Sequence, residues 1–124
     1  MIFVNSVFYC QNLGLDTSFG NNGKSVLPII SSSQKPVKVF YENNKYIFIY
    51  ASNGLCSVNY NGTQDNSFGI NGSLILNSDN FNDTYFIKGA KLLDGYIYVY
   101  GKKSNVSSTN KDGFIAKIST SGSY

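Results

Sequence analysis

The sequence predicts an all-β protein built from a repeated unit, and three observations predict it. Leu15-Asp16-Thr17-Ser18-Phe19-Gly20-Asn21-Asn22-Gly23 returns 49 residues later as Gln64-Asp65-Asn66-Ser67-Phe68-Gly69-Ile70-Asn71-Gly72, with the shared pattern D-x-S-F-G-x-N-G. A period of this size marks a stacked or radial repeat architecture. Apolar runs rich in Tyr, Ile, Phe and Val, each entered through a turn dipeptide, suit a pleated surface buried on both faces. No stretch carries a helical period.

The elements follow in chain order. In the first unit the apolar runs place strands at Lys24–Ile30, Val37–Tyr41, Tyr46–Ala51 and Leu55–Tyr60. In the second they fall at Ser73–Leu76, Phe86–Leu92, Tyr96–Gly101 and Phe114–Ser119. Lys45–Ala51 lines up with Gly95–Gly101, Tyr46 opposite Tyr96, and each run follows a turn signal, Glu42-Asn43-Asn44 or Leu93-Asp94-Gly95. Asn-Asn and Asp-Gly tolerate positive φ in a two-residue hairpin turn. Further on, Gly54–Gly62 matches Gly113–Gly122, and the second unit gains a longer outer loop, Lys102 to Asp112.

Four short antiparallel strands per repeat fit a blade of a β-propeller. The expected architecture is a single propeller segment over residues 1–124: an outer strand of an incomplete blade at 1–14, one blade at 15–63 and a second at 64–124. A β-sandwich is the alternative, although a sandwich requires no repeat. Two blades do not close a ring of the usual four to eight or so. The expected partners are therefore further blades of the same protein or neighbouring copies, and the apolar segment Ile2–Cys10 would be an edge in need of cover.

These residues resemble the delta-60 repeats, bacterial sequences with D-x-S-F-G-x-x-G, an apolar strand, a D-G-x-I-x-V-x-G hairpin and a closing strand that ends in Gly-Ser. Asp16, Ser18, Phe19, Gly20 and Gly23 carry the resemblance in the first unit, and Asp65, Ser67, Phe68, Gly69 and Gly72 in the second. Asp94-Gly95-Tyr96-Ile97-Tyr98-Val99-Tyr100-Gly101 and Gly122-Ser123 fit it too, whereas Glu42-Asn43-Asn44-Lys45 departs from the hairpin pattern. The resemblance implies a propeller-like fold in surface or secreted proteins and implies no reaction.

Composition narrows the function. The chain is 42% hydrophobic and only 14% charged, enough apolar content for one compact core. Its ten basic residues are all Lys, scattered along the chain, and no Arg or His is present. A nucleic-acid binder normally shows a basic stripe with Arg, so no nucleic-acid partner is expected. No run approaches the roughly 20 apolar residues of a membrane span, so no membrane insertion is expected either. An extracellular or cell-surface location suits the resemblance, with a virion as the alternative.

The chemical inventory is short. Without His there is no imidazole base for Ser-His-Asp or Cys-His catalysis, and most zinc sites are excluded. Seven carboxylates remain, Asp16, Glu42, Asp65, Asp79, Asp83, Asp94 and Asp112, several of them in turns where Asp bonds its own backbone. No catalytic residue, no metal and no cofactor is expected. Asp16 and Asp65, with Asn22 and Asn71, could ligate Ca²⁺ through oxygen, but a structural reading explains every position: Asp accepts backbone N–H bonds, Phe19 and Phe68 plug the space between units, and glycines supply positive φ. Cys10 and Cys56 fall on outer strands of neighbouring units and on opposite faces, so no disulfide is expected.

Tyr46, Tyr50, Tyr96, Tyr98 and Tyr100 lie in the third strands, where most rings should serve blade packing. A binding site would sit on loops such as Asn77–Thr84 or Lys102–Asp112. The sequence is thus read as a non-enzymatic β-propeller scaffold or interaction module of a larger surface- or virion-associated assembly. Its partners would be other proteins of that assembly, and a lectin-like module with glycan partners is the alternative.

Overall fold

In the computed structural model, residues 14–27, 35–76, 83–105 and 111–123 are described. They form two antiparallel sheets and no helix. The first sheet is a meander of β1 (Pro36–Glu42), β2 (Lys45–Tyr50), β3 (Gly54–Asn59) and β4 (Ser73–Ile75), in that spatial order. The second is a meander of β5 (Asp83–Leu93), β6 (Tyr96–Asn105) and β7 (Lys111–Ser119).

Turn chemistry fixes both leading hairpins. Asn43 and Asn44 have φ of 52° and 59°, and Asp94 and Gly95 have 50° and 73°, so β1–β2 and β5–β6 close through two-residue loops with both central residues left-handed. That backbone twist matches the twist of the strands it joins. Each hairpin then breaks register at the same place, with a shift between Pro36 and Lys38 in β1 and between Ile87 and Gly89 in β5. The repeat therefore includes a bulge, Val37 in one unit and Lys88 in the other, that bends both leading strands alike.

Three expectations are corrected here. Ser73–Ile75 does not open the second sheet; it pairs with Gly54–Cys56 and closes the first. The chain between β3 and β4 folds back across the edge of β3, through Asp65 N–H to Ser57 O (3.1 Å) and Ser57 N–H to Gly72 O (3.0 Å), which leaves the following strand beside the one it came from. Lys24–Leu27, the described part of the expected Lys24–Ile30 strand, forms only local bridges at Lys24 to Gly20 and Asn21. Lys102–Asp112 is not simply a loop: Lys102–Asn105 and Lys111–Asp112 lengthen β6 and β7, paired as far as Ser104 and Lys111. Residues 106–110, the expected outer strand at 1–14 apart from Gly14, and Cys10 lie outside the described residues.

The turn geometry also corrects the alignment of the units by one residue. Asn43-Asn44 superposes on Asp94-Gly95, and the turn at Gly62 superposes on that at Gly122. Gly62 N–H donates to Asn59 O and Gly122 N–H to Ser119 O, while Asn59 N–H meets Thr63 O and Ser119 N–H meets Ser123 O. In this register Tyr46 corresponds to Ile97 and Ile47 to Tyr98. Tyr46 and Tyr50 thus lie on the opposite face of their sheet from Tyr96, Tyr98 and Tyr100.

That register decides how the sheets stack. Ile47 and Ile49, paired with Ser57 and Leu55, face one way. They join a single buried cluster with Ile97, Val99 and Ile118 of the second sheet, together with Phe68, Leu76 and Ile87. Ile97, Val99 and Ile118 correspond to Tyr46, Phe48 and Val58, the other face of the first sheet. Non-equivalent faces therefore meet. β3, covered on both faces and along its edge, is buried from Gly54 to Val58, while β7 alternates because the described residues leave one of its faces open.

Candidate functional site

The two D-x-S-F-G loops have one geometry. Asp16 Oδ1 accepts hydrogen bonds from Ser18 N–H (2.9 Å) and Ser18 Oγ (2.6 Å), and Asp65 Oδ1 accepts the same pair from Ser67. Phe19 N–H donates to Asp16 O and Phe68 N–H to Asp65 O. Asn21 N–H and Ile70 N–H donate to Lys24 O and Ser73 O, both at 2.7 Å. Gly20 and Gly69 have φ of 56° and 55°, and a Cβ on either would collide with those carbonyls, so glycine is required for shape as well as for space. Gly23 and Gly72 repeat a left-handed φ of 82° and 81°.

Each loop docks on the terminal turn of the unit that follows it. Gly20 N–H donates to Asn61 O (2.7 Å), and Gly69 N–H to Ser121 O (3.0 Å). A Cβ on Gly62 would lie 2.7 Å from Gly20 N, and one on Gly122 would lie 2.6 Å from Gly69 N. Phe19 lines a cleft of about 320 Å³ with Ser25, Leu27, Tyr46, Phe48 and Val58. Phe68 sits in the cluster that holds the corresponding Ile97, Val99 and Ile118. The second motif thus lies between the two sheets. The two rings differ in depth: Phe68 is 0% exposed while Phe19 is only half-buried.

Sequence reasoning missed what distinguishes the two aspartates. Asp65 is buried and forms an ion pair with Lys45 Nζ at 2.9 Å, with side chains 7% and 16% exposed, and Ser57 Oγ donates to the same carboxylate oxygen at 3.0 Å. Burial opposes its ionisation, but hydrogen bonds from Ser67, Lys45 and Ser57 and the charge of Lys45 outweigh it and hold the carboxyl at about 2. Asp16 is exposed and its carboxylate bonds only to Ser18 among the described residues; those bonds lower its pKa. In the second sheet, Tyr96 and Lys117 hold the places of Lys45 and Ser57. No motif in the sequence signalled this pairing, since the partners come from two strands.

The face of the second sheet turned away from the first exposes Phe86, Tyr96, Tyr100 and Ile115. Tyr96, Tyr98 and Tyr100 stand opposite Ser119, Lys117 and Ile115. Lys117 Nζ lies 3.8 Å from the centroid of Tyr96 and 6.0 Å from that of Tyr98, a cation–π arrangement. A Cβ on Gly89 would run into the Tyr100 ring, so this glycine leaves room for Tyr100 to lie across β5. Beyond it, Phe86, Lys88, Lys102, Ser104 and Lys111 line a cleft of about 340 Å³. The strand positions of this face carry Lys91, Lys102, Lys111 and Lys117 and no described carboxylate.

Among the described residues, no group of three or more Asp, Glu or Cys side chains stands close enough to hold a metal ion. Cys56 is a buried free thiol, with its Sγ 3.5 Å from Tyr50 Oη, and burial raises the pKa of both groups. Of the expected binding loops, residues 77–82 and 106–110 lie outside the described residues, and Asp83 and Thr84 belong to β5. No family model, curated protein or solved structure matches this chain.

Proposed function

We propose that the chain is a non-enzymatic scaffold segment of β-propeller type, akin to the delta-60 repeats, serving as an interaction module in a larger surface- or virion-associated assembly. One observation carries the reading: the inner face of the first sheet corresponds to the outer face of the second. A duplicated pair related by a twofold axis buries equivalent faces against each other. Here non-equivalent faces meet, with the Asp65 motif at their junction, an arrangement that fits blades stepping around a propeller axis. The exposed Tyr96–Tyr98–Tyr100 face is then a surface made for a further layer.

A second reading draws on that same face. Tyrosine rings beside lysines also stack on sugars, so a glycan-binding module is the rival. A glycan array, backed by titration of tyrosine fluorescence, separates the two. The scaffold reading expects no saturable sugar signal and no hydrolysis of glycoside substrates. Saturable binding to one glycan class that is lost in Tyr98→Ala would replace it with the lectin reading.

A further inference from the structure

Among the described residues, the joint between the two sheets has an unoccupied counterpart at each end of the stack. In the occupied joint, Ser73–Ile75 pairs with the edge of β3, Leu74 opposite Leu55, while Asp65 of the same segment reaches Lys45 and Ser57. At one end, among the described residues, Asp16 is exposed with no cation beside it and Ser25–Leu27 has no strand partner; Val26 is 86% exposed. At the other end, the outer edge of β7 is unpaired among the described residues, Ile115 is 72% exposed, and Lys117 stands where Ser57 stands in the first sheet.

We infer that these two ends join head to tail between copies of this chain: Lys24–Val26 of one copy adds as an antiparallel strand to Phe114–Ala116 of the next, and Asp16 pairs with Lys117. The register follows from the internal joint. Gly54↔Ile75, Leu55↔Leu74 and Cys56↔Ser73 become Phe114↔Val26, Ile115↔Ser25 and Ala116↔Lys24. Three features of the chain favour a second copy as the occupant. Both halves of the junction are carried by one molecule, the charges are complementary, and Ile115 arrives opposite Ser25, beside the apolar cleft of Phe19, Leu27, Tyr46, Phe48 and Val58. A knob and a cleft on different parts of one molecule make a heterologous contact, which propagates or closes into a ring. Strand addition supplies backbone hydrogen bonds, and the aspartate sets the register. This inference rests on the stacking of non-equivalent faces described above.

The test uses the full chain and multi-angle light scattering across a concentration series. The wild type should associate. Ser25→Pro, which removes the N–H that stands where Leu74 N–H faces Leu55 in the internal joint, and Lys117→Glu, which repels Asp16, should each lower the association constant by about tenfold or more. Circular dichroism of each variant should match the wild type. Mixed at equal concentration, the two variants should form a heterodimer that grows no further, because each keeps the half the other lacks. Asp16→Lys combined with Lys117→Asp should restore association. A wild type that stays monomeric, association that neither variant weakens, or a mixture that stays monomeric overturns the proposal. A monomeric wild type does not touch the scaffold reading, which answers to the glycan array.

Discussion

Asp16 and Asp65 occupy the same position in the same loop, yet among the described residues only Asp65 meets a cation. Asp65→Asn should therefore cost about 2 kcal/mol, the scale of hydrogen bonds to a charged group whose loss leaves Lys45 without its partner. Asp16→Asn should cost much less. The sign of the pH dependence follows. A folded-state pKa of about 2 lies below the value of about 4 in an unfolded chain. The Asp65 contribution is thus present above about pH 4 and fades as pH falls toward about 2. Acid titration of chemical stability should show that loss in the wild type and not in Asp65→Asn. The phenylalanines divide in the same way. Phe68→Ala should cost about 3 to 5 kcal/mol and Phe19→Ala clearly less, since Phe68 alone is fully enclosed.

At the scale of elements, the turns were legible and the sheet membership was not. Asp94-Gly95 announced a hairpin by composition, and Asn43-Asn44 proved to adopt the same left-handed pair despite its departure from Asp-Gly. Asn44→Gly should be tolerated, while Asn44→Val should cost about 1 to 3 kcal/mol, because a β-branched residue resists that φ; urea denaturation of both measures it. The placement of Ser73–Ile75 escaped the sequence for a physical reason. A strand that follows the motif can cross to a new sheet or fold back on the old one with the same spacing, and the deciding bonds, Asp65 N–H to Ser57 O among them, are backbone contacts without a residue signature. The one-residue misalignment has a similar origin. Tyr46 and Tyr96 match by identity, but the turn sets the register and turns Tyr96 onto the opposite face. The shared bulge at Val37 and Lys88 is invisible because the two residues have nothing in common. Gly122→Ala should loosen the docking of the second motif by about 1 to 3 kcal/mol, read as lost hydrogen-exchange protection at Gly69 N–H.

For the whole molecule, the repeated D-x-S-F-G-x-N-G motif together with the apolar, turn-bounded runs made an all-β arrangement legible, and Asp16, Ser18, Phe19 and Gly20 form a loop of the same geometry as Asp65, Ser67, Phe68 and Gly69. The exposed aromatic and lysine face was not legible, because it depends on which strand face each tyrosine takes. The central claim is that non-equivalent faces of the two units pack together, and methyl nuclear Overhauser contacts in the isotope-labelled chain test it most directly. The account predicts contacts linking Ile47, Ile49 and Leu55 to Ile97, Val99 and Ile118, with none to the Ile115 methyls of the same chain. Contacts from the Ile47 and Leu55 methyls to Ile115 would mean that equivalent faces meet, and would contradict it.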